Sequence, residues 1–287
     1  MLSGIGVHSG AETSVTVRPG VPGSGISFLR DRKGGRPVRA TWGNVTETGL
    51  CTVLGDPATD GVATVEHLMA ALSAAGVDDA LVTVDGPELP ILDGSALPFL
   101  DAVEASGLAH AEGPRPVIRV LRSVEVECGA SHARLDPSPS GFHLDVRIDF
   151  AEPAIGRQEA RMTLGARAFR EGAADCRTFG FLKDVSSLWA AGLALGASLE
   201  NTVVLAEGAV MNPDGLRRPD EFVRHKLLDA VGDLALAGLP LVGAFRSHRG
   251  GHALNHAVLK ALFSDARNYA VTGAPVERRR AVTAARR

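Results

Sequence analysis

The chain has 287 residues, enough for one large domain or two ordinary ones, and its 45% hydrophobic and 22% charged content is an ordinary globular balance. A formal net charge of -3 excludes a global field that would draw in nucleic acid, so an anionic partner needs locally placed cations. Cys51, Cys128 and Cys176 lack CxxC spacing, which argues against a disulfide framework or a cysteine zinc site and points to a reducing cytoplasm; no apolar run reaches the roughly 18–20 residues of a membrane span, and MLSGIGVHSG lacks the marks of a signal peptide.

Alternation in AETSVTVRPG (11–20) predicts a half-buried strand, and GISFLRDR (25–32) a second one across a Pro/Gly turn. TVEHLMAALSAAG (64–76) has helical spacing, with Thr64 as the expected N-cap and Gly76 as the stop. Residues 79–107 then read as a strand, a Pro-rich turn and a helix ending at Gly107. The turn-rich AEGPRPV (111–117) is the expected linker, dividing the chain into 1–113 and 114–287. Beyond it, VIRVLRSVEVEC, HARLDPS and GFHLDVRIDF are strand-like, 220–238 is a helix with a glycine stop, and 240–263 gives a strand, a Gly-rich turn and a last helix. Each half thus holds several strands and two helices. The basic ERRRAVTAARR at the end reads as a solvated tail.

Within 220–238, His225, Asp229 and Asp233 are spaced i, i+4, i+8, which stacks them on one helix face. Imidazole and carboxylate both bind zinc, and two ligands from one turn leave a third to be found elsewhere. Such pairs are commonly surface or capping contacts, but here they interrupt an apolar stripe of Phe222, Leu228, Val231 and Leu236. Glu66 and His67 open the 64–76 helix; neighbouring helical side chains diverge by about 100°, so one can bind a metal while the other reaches water beside it. The plain alternatives are a helix-dipole glutamate and a packed histidine. His252 follows Gly250-Gly251, placed either to protonate a leaving amine or to cap a helix; His256, one turn on, reads as structural. In DCRTFGF, the Thr178 hydroxyl is able to donate to a developing oxyanion.

Together, GIGVHSG (4–10), LCTVL (50–54), TVEHLMAAL (64–72), ELPILDGSALPF (88–99), RTFGF (177–181), DEFVRHKLLDAVGDL (220–234) and GHALNHAVLKAL (251–262) resemble the UDP-3-O-acyl-N-acetylglucosamine deacetylase family, in the family's order and over nearly the whole chain. The resemblance implies zinc ligands at His67, His225 and Asp229, with Fe2+ able to use the same site, a general base at Glu66 and a general acid at His252. It further implies that Asp233 sets the charge and orientation of His252 and that Thr178 stabilises the oxyanion. Lys226 and Arg249 would serve the substrate's phosphates, and His8, Phe150, Phe179 and Asp184 would line the nucleotide and sugar site. The implied fold class is α+β: two similar two-layer domains, each a mainly antiparallel sheet on two helices, with the helix layers facing each other and the active site between them. An insert at about 181–208 would form an acyl-chain passage; from composition alone, LWAAGLALGASL (188–199) reads as well as a buried core helix.

The implied activity is zinc-dependent removal of the N-acetyl group of UDP-3-O-acyl-GlcNAc in lipid A biosynthesis, by a cytoplasmic monomer without nucleic-acid or transmembrane partners. The rival expectations are a zinc amidase of the same fold acting on another acylated amino sugar, and a non-catalytic zinc-binding paralogue. One departure stands out: family members carry about ten more residues, an initial strand, before the motif that here begins at Gly4, so the first sheet is expected to lose a strand and expose an edge.

Overall fold

Burial alternates along Glu12–Pro19 and Val77–Val84, so one side of each strand faces a core and the other is half-exposed. In the computed structural model, which describes residues 1–31, 35–111, 113–274 and 279–282, these two strands pair antiparallel, and Ile26–Arg30 joins Val77–Val84 in parallel on its other side. The same arrangement recurs later in the chain. Leu241–His248 has Ser131–Asp136 as its antiparallel partner and Phe142–Asp149 as its parallel one. Each central strand is preceded and followed by a helix, and each lies in a seven-stranded, mainly antiparallel sheet. The fold is therefore α+β, and a central strand with an antiparallel and a parallel neighbour, flanked in sequence by two helices, recurs in both halves.

The helices are α1 (Glu66–Ala75), α2 (Leu97–Ser106), α3 (Ala166–Gly172), α4 (Val185–Ala190), α5 (Glu221–Ala235) and α6 (His252–Phe263). α1 is short and rich in Ala and Leu, and all of it except Ser73 is buried, because it lies between its own sheet and α5. Gly76 ends it in the left-handed region at φ 74°, its N–H donating to the carbonyls of Leu72 and Ser73. Where α1 crosses α5, a Cβ on Gly232 would collide with the Glu66 carbonyl, so the bare glycine is what lets the helices approach. A single apolar cluster runs through both halves, from Phe28, Leu68 and Leu72 to Phe222, Leu228 and Phe245.

Several expectations need correction. Thr64 does not cap α1: Val65 is the N-cap residue, and Thr64 sits at φ 58° with its hydroxyl donating to Glu88 Oε1 at 2.8 Å. A β-branched residue there is strained, and the buried bond to Glu88 holds it. The linker expected over 111–117 is shorter, because Leu108–Ala111 and Arg115–Val120 are strands. The basic tail contributes a strand, Arg279–Val282, between Val77–Val84 and Leu108–Ala111; residues 283–287 lie outside the described residues. Unpaired strand edges accept any backbone that supplies N–H and C=O groups, whatever its charge. At the other end, Leu2–Ile5 pairs with Glu12–Pro19 and forms the edge of the first sheet. The second half also has two unexpected short helices, α3 and α4, of seven and six residues, each under two turns and too short to show a periodic pattern. The core-helix reading of 188–199 fails: α4 ends at Ala190, has no buried residue, and leads into turns.

Candidate active site

Helices α1 and α5 carry three side chains to one point. His67 comes from the first turn of α1, and His225 and Asp229 come from successive turns of α5. Asp229 Oδ1 lies 3.4 Å from His225 Nε2 and 3.6 Å from His67 Nε2, and one potential ligand atom from each residue lies within 4.8 Å of the others. All three residues are buried, yet among the described residues Asp229 Oδ1 has no hydrogen-bond partner. A buried, unpaired carboxylate oxygen facing two imidazoles is a costly arrangement unless a cation completes it. The donor set therefore fits a divalent ion. His225 Nδ1 is 3.1 Å from the Cys176 carbonyl, which only accepts, so Nδ1 carries the proton and Nε2 keeps its lone pair for a metal. Burial pushes His225 down to about 3 against the pull of Asp229, leaving the ring neutral. Burial acts the other way on Asp229, but His225, Lys226 and His67 outweigh it and hold the carboxyl well below its ordinary range.

Beside this cluster stand Glu66 and His252. His252 Nε2 is 3.8 Å from Glu66 Oε1 and 4.0 Å from Asp229 Oδ2. Its other nitrogen, Nδ1, donates to Asp233 Oδ2 at 2.9 Å. Asp233 also accepts from Asn255 Nδ2 at 2.9 Å and, on its second oxygen, from the Thr52 hydroxyl at 2.6 Å. Burial opposes a charge on His252, but Asp233 and Glu66 overcome it and raise the ring to about 10. Burial raises Glu66 above the usual carboxylate value, with His252 and His67 pulling back. A buried carboxylate with raised proton affinity next to a charged imidazole is an acid–base pair.

The cluster opens into a cleft of about 950 Å³ lined by residues of both halves. His8, Thr178, Phe179, Asp184, Lys226 and Arg249 all line it. Phe150 does not; it stands behind Phe179, with ring centroids 5.8 Å apart, and braces that ring against His225. Lys226 turns toward Asp229, donating to Oδ2 at 2.8 Å, with its ammonium 5.5 Å from the centre of the Phe179 ring. Arg249 lines the rim with its guanidinium held by Asp149 at 2.8 Å. His256 donates to or accepts at no catalytic group; its Nε2 meets the Trp42 carbonyl at 2.8 Å, a structural contact. The expected insert region forms one wall through a small sheet, with Phe179–Phe181 parallel to Val203–Ala206. Its Val185, Leu188, Ala194, Ala197 and Val204 give that wall an apolar lining.

The family model described as UDP-3-O-acyl N-acetylglycosamine deacetylase matches residues 1–264. Curated proteins named UDP-3-O-acyl-N-acetylglucosamine deacetylase from Brucella ovis, Brucella canis and Brucella suis are each 50% identical to this chain over 266 residues, covering 92% of both partners. This chain belongs to the UDP-3-O-acyl N-acetylglycosamine deacetylase family.

For a member of this deacetylase family, the structure adds residues that motif reading had left without a role. Glu88 is buried and accepts the N–H groups of His8 at 3.0 Å and Ser9 at 2.8 Å, clamping the loop that carries His8. Glu221, in the first turn of α5, accepts the Arg177 backbone N–H at 2.9 Å and the Nε and Nη2 of its guanidinium, fixing the strand entry at Thr178. The pair is buried, and further bonds from Arg177 Nη2 to the Gly215 carbonyl and from the Arg217 N–H to Glu221 support it, the condition under which a buried ion pair is tolerated. Thr52, Asn255 and the Cys176 carbonyl likewise act only through partners far away in sequence. The one signal in the sequence is that Thr52, Glu88, Glu221 and Asn255 fall inside the motifs shared with the family.

Proposed function

We propose that the chain is a zinc-dependent hydrolase that removes the N-acetyl group of UDP-3-O-acyl-N-acetylglucosamine, releasing acetate and the free amine. The observation that carries this reading is the buried His67–His225–Asp229 cluster with its unpaired Asp229 oxygen, flanked by Glu66 and His252 at the head of a cleft with one apolar wall. His67, His225 and Asp229 would hold the ion, and iron(II) suits the same donors. When bound, the ion supplies Lewis-acid chemistry, polarising a carbonyl and making water more acidic.

The protein's own groups do the rest. Glu66 takes a proton from the attacking water, a task its raised proton affinity suits. The Thr178 hydroxyl donates to the carbonyl oxygen as negative charge builds there. His252, kept charged and oriented by Asp233, gives its Nε2 proton to the sugar nitrogen as the amide bond breaks. Lys226 offsets the negative charge around Asp229. His8 and Arg249 lie where a diphosphate sugar would enter, and the wall from Val185 to Val204 receives the acyl chain. In the same reading, residues 1–113 and 114–287 are two domains, and the enzyme works in the cytoplasm as a monomer.

The test is acetate release from UDP-3-O-acyl-GlcNAc species of graded chain length by metal-defined protein. Turnover that is lost on chelation and restored by zinc is the expected result. Turnover confined to other acylated amino sugars, or none with any metal, overturns the assignment.

A further inference from the structure

Thr52 bonds both to the base, Glu66, and to Asp233, the carboxylate that holds the acid, His252. Its backbone N–H donates to Glu66 Oε2 at 3.1 Å, and its hydroxyl donates to Asp233 Oδ1 at 2.6 Å. Asp233 Oδ2 accepts from His252 Nδ1 at 2.9 Å, and His252 Nε2 faces Glu66 Oε1 at 3.8 Å. The four residues close a ring: Thr52, Glu66, His252, Asp233 and back to Thr52. All are buried. Thr52 stands just before the strand Val53–Leu54, Glu66 on α1, Asp233 on α5 and His252 on α6. Its carbonyl also accepts the Val65 N–H at 3.4 Å, which ties it to the start of α1.

We propose that Thr52 is a positioning residue that keeps base and acid in register across the junction of α1 with α5 and α6; this rests on the reading of Glu66 as base and His252 as acid. The physical reason lies in the number of constraints. A carboxylate held on one oxygen only can rotate about its Cβ–Cγ bond. Asp233 has His252 and Asn255 on Oδ2, and among the described residues the Thr52 hydroxyl is the sole side-chain donor to Oδ1. Losing that hydroxyl frees the carboxylate plane, and the imidazole it orients turns with it. The peptide N–H on Glu66 fixes the other end of the ring to the same residue, so a displacement of one catalytic group is transmitted to the other. Buried networks of this type gain rigidity from complete satisfaction and lose it when one member is removed.

The experiment compares Thr52→Val, Thr52→Ser, Asp233→Asn and the Thr52→Val/Asp233→Asn pair at matched metal content and thermal midpoint. In parallel, 1H–15N spectra of the His252 ring are recorded for wild type, Thr52→Val and Thr52→Ser. Thr52→Val is expected to lower kcat about tenfold with KM within about twofold, since near-equal substrate binding accompanies poorer proton transfer. Thr52→Ser, which keeps the hydroxyl, restores most of the rate. The pair is no more than about twofold slower than Asp233→Asn alone, because both changes act through one carboxylate. The His252 ring signals shift in Thr52→Val and return in Thr52→Ser. Wild-type kcat and unmoved ring signals in Thr52→Val, multiplying penalties in the pair, or a Thr52→Ser as slow as Thr52→Val would each overturn the proposal. If Thr52→Val does not fold, Thr52→Ser decides: ring signals coincident with wild type support it, and displaced signals with wild-type kcat refute it. A wild-type protein without turnover defeats the deacetylase reading instead, while the spectra still test the ring.

Discussion

His67, His225 and Asp229 stand on two helices packed face to face and are almost wholly enclosed, whereas the opposite wall of the cleft, from Phe179 to Val210, leaves Trp189 58% and Leu195 51% exposed. The first region is held by core packing and by hydrogen bonds at 3.1 Å or less, from His225 to Cys176 and, one turn past Asp229 on α5, from Thr52 and Asn255 to Asp233. The second is attached at a few backbone points, such as Leu195 N–H to the His8 carbonyl and Gly196 N–H to the Val7 carbonyl, each 3.1 Å. Groups that must meet a reacting atom need fixed geometry and sit on regular elements. A wall that accommodates a flexible apolar chain tolerates looser anchoring and gains from exposed apolar surface at its mouth. The contrast predicts that damage to the first region abolishes chemistry, while damage to the second alters preference.

The largest expected effect is removal of a ligand. Asp229→Ala should lose bound metal and at least about 10³-fold in activity, measured by elemental analysis and turnover on the same sample; full metal content with normal turnover would erase the distinction between the two regions. Glu66→Gln keeps shape but cannot take a proton, so kcat should fall about 10²–10⁴-fold with metal retained. Thr178→Ala removes a single donor and should cost about 10²–10³-fold, less than Glu66→Ala or His252→Ala. Next comes pH. His252 is raised to about 10 chiefly by Asp233 acting against burial, so the protonated acid persists at neutral pH and is lost as pH climbs through that value. Asp233→Asn lowers the ring's proton affinity, and the alkaline limb of the rate profile should move to lower pH; an unmoved limb would separate Asp233 from the acid's charge. The smallest effect belongs to the insert. Leu188→Ala, in the apolar lining of the cleft, should leave short-acyl substrates within about twofold and raise KM for long-acyl ones a few-fold, in line with about 1 kcal/mol of lost apolar contact. Equal effects on both lengths would sharpen the comparison against an acyl-binding wall.

Much of the fold was readable because its main helices carry strong periodicity and clear stops: Gly76 after α1, Gly107 after α2 and Gly238 just past α5. Alternation revealed the strands for the same reason. Pattern reading failed where local chemistry was overruled by distant partners. Thr64 has the composition of a cap, but Glu88, 24 residues away, takes its hydroxyl. Arg279–Val282 reads as a charged tail because composition says nothing about a vacant sheet edge. At the site, the i, i+4 relation of His225 and Asp229 was visible from one helix alone. Their meeting with His67 needed the α1–α5 crossing, which no spacing encodes. Thr52 lies 181 residues from the carboxylate it binds, and a threonine in an apolar stretch carries no mark of such a bond.

At Gly232 only hydrogen separates the α-carbon from the peptide of Glu66, so a methyl group there would act as a shim between α1 and α5. The imidazole of His67 would then ride outward on one helix while His225 and Asp229 stayed with the other. Ordinarily an alanine in mid-helix is the more favourable choice by roughly 1 kcal/mol. Here it would widen the gap a cation has to bridge, and the tolerance of the whole coordination set is thus machined by a side chain that is missing.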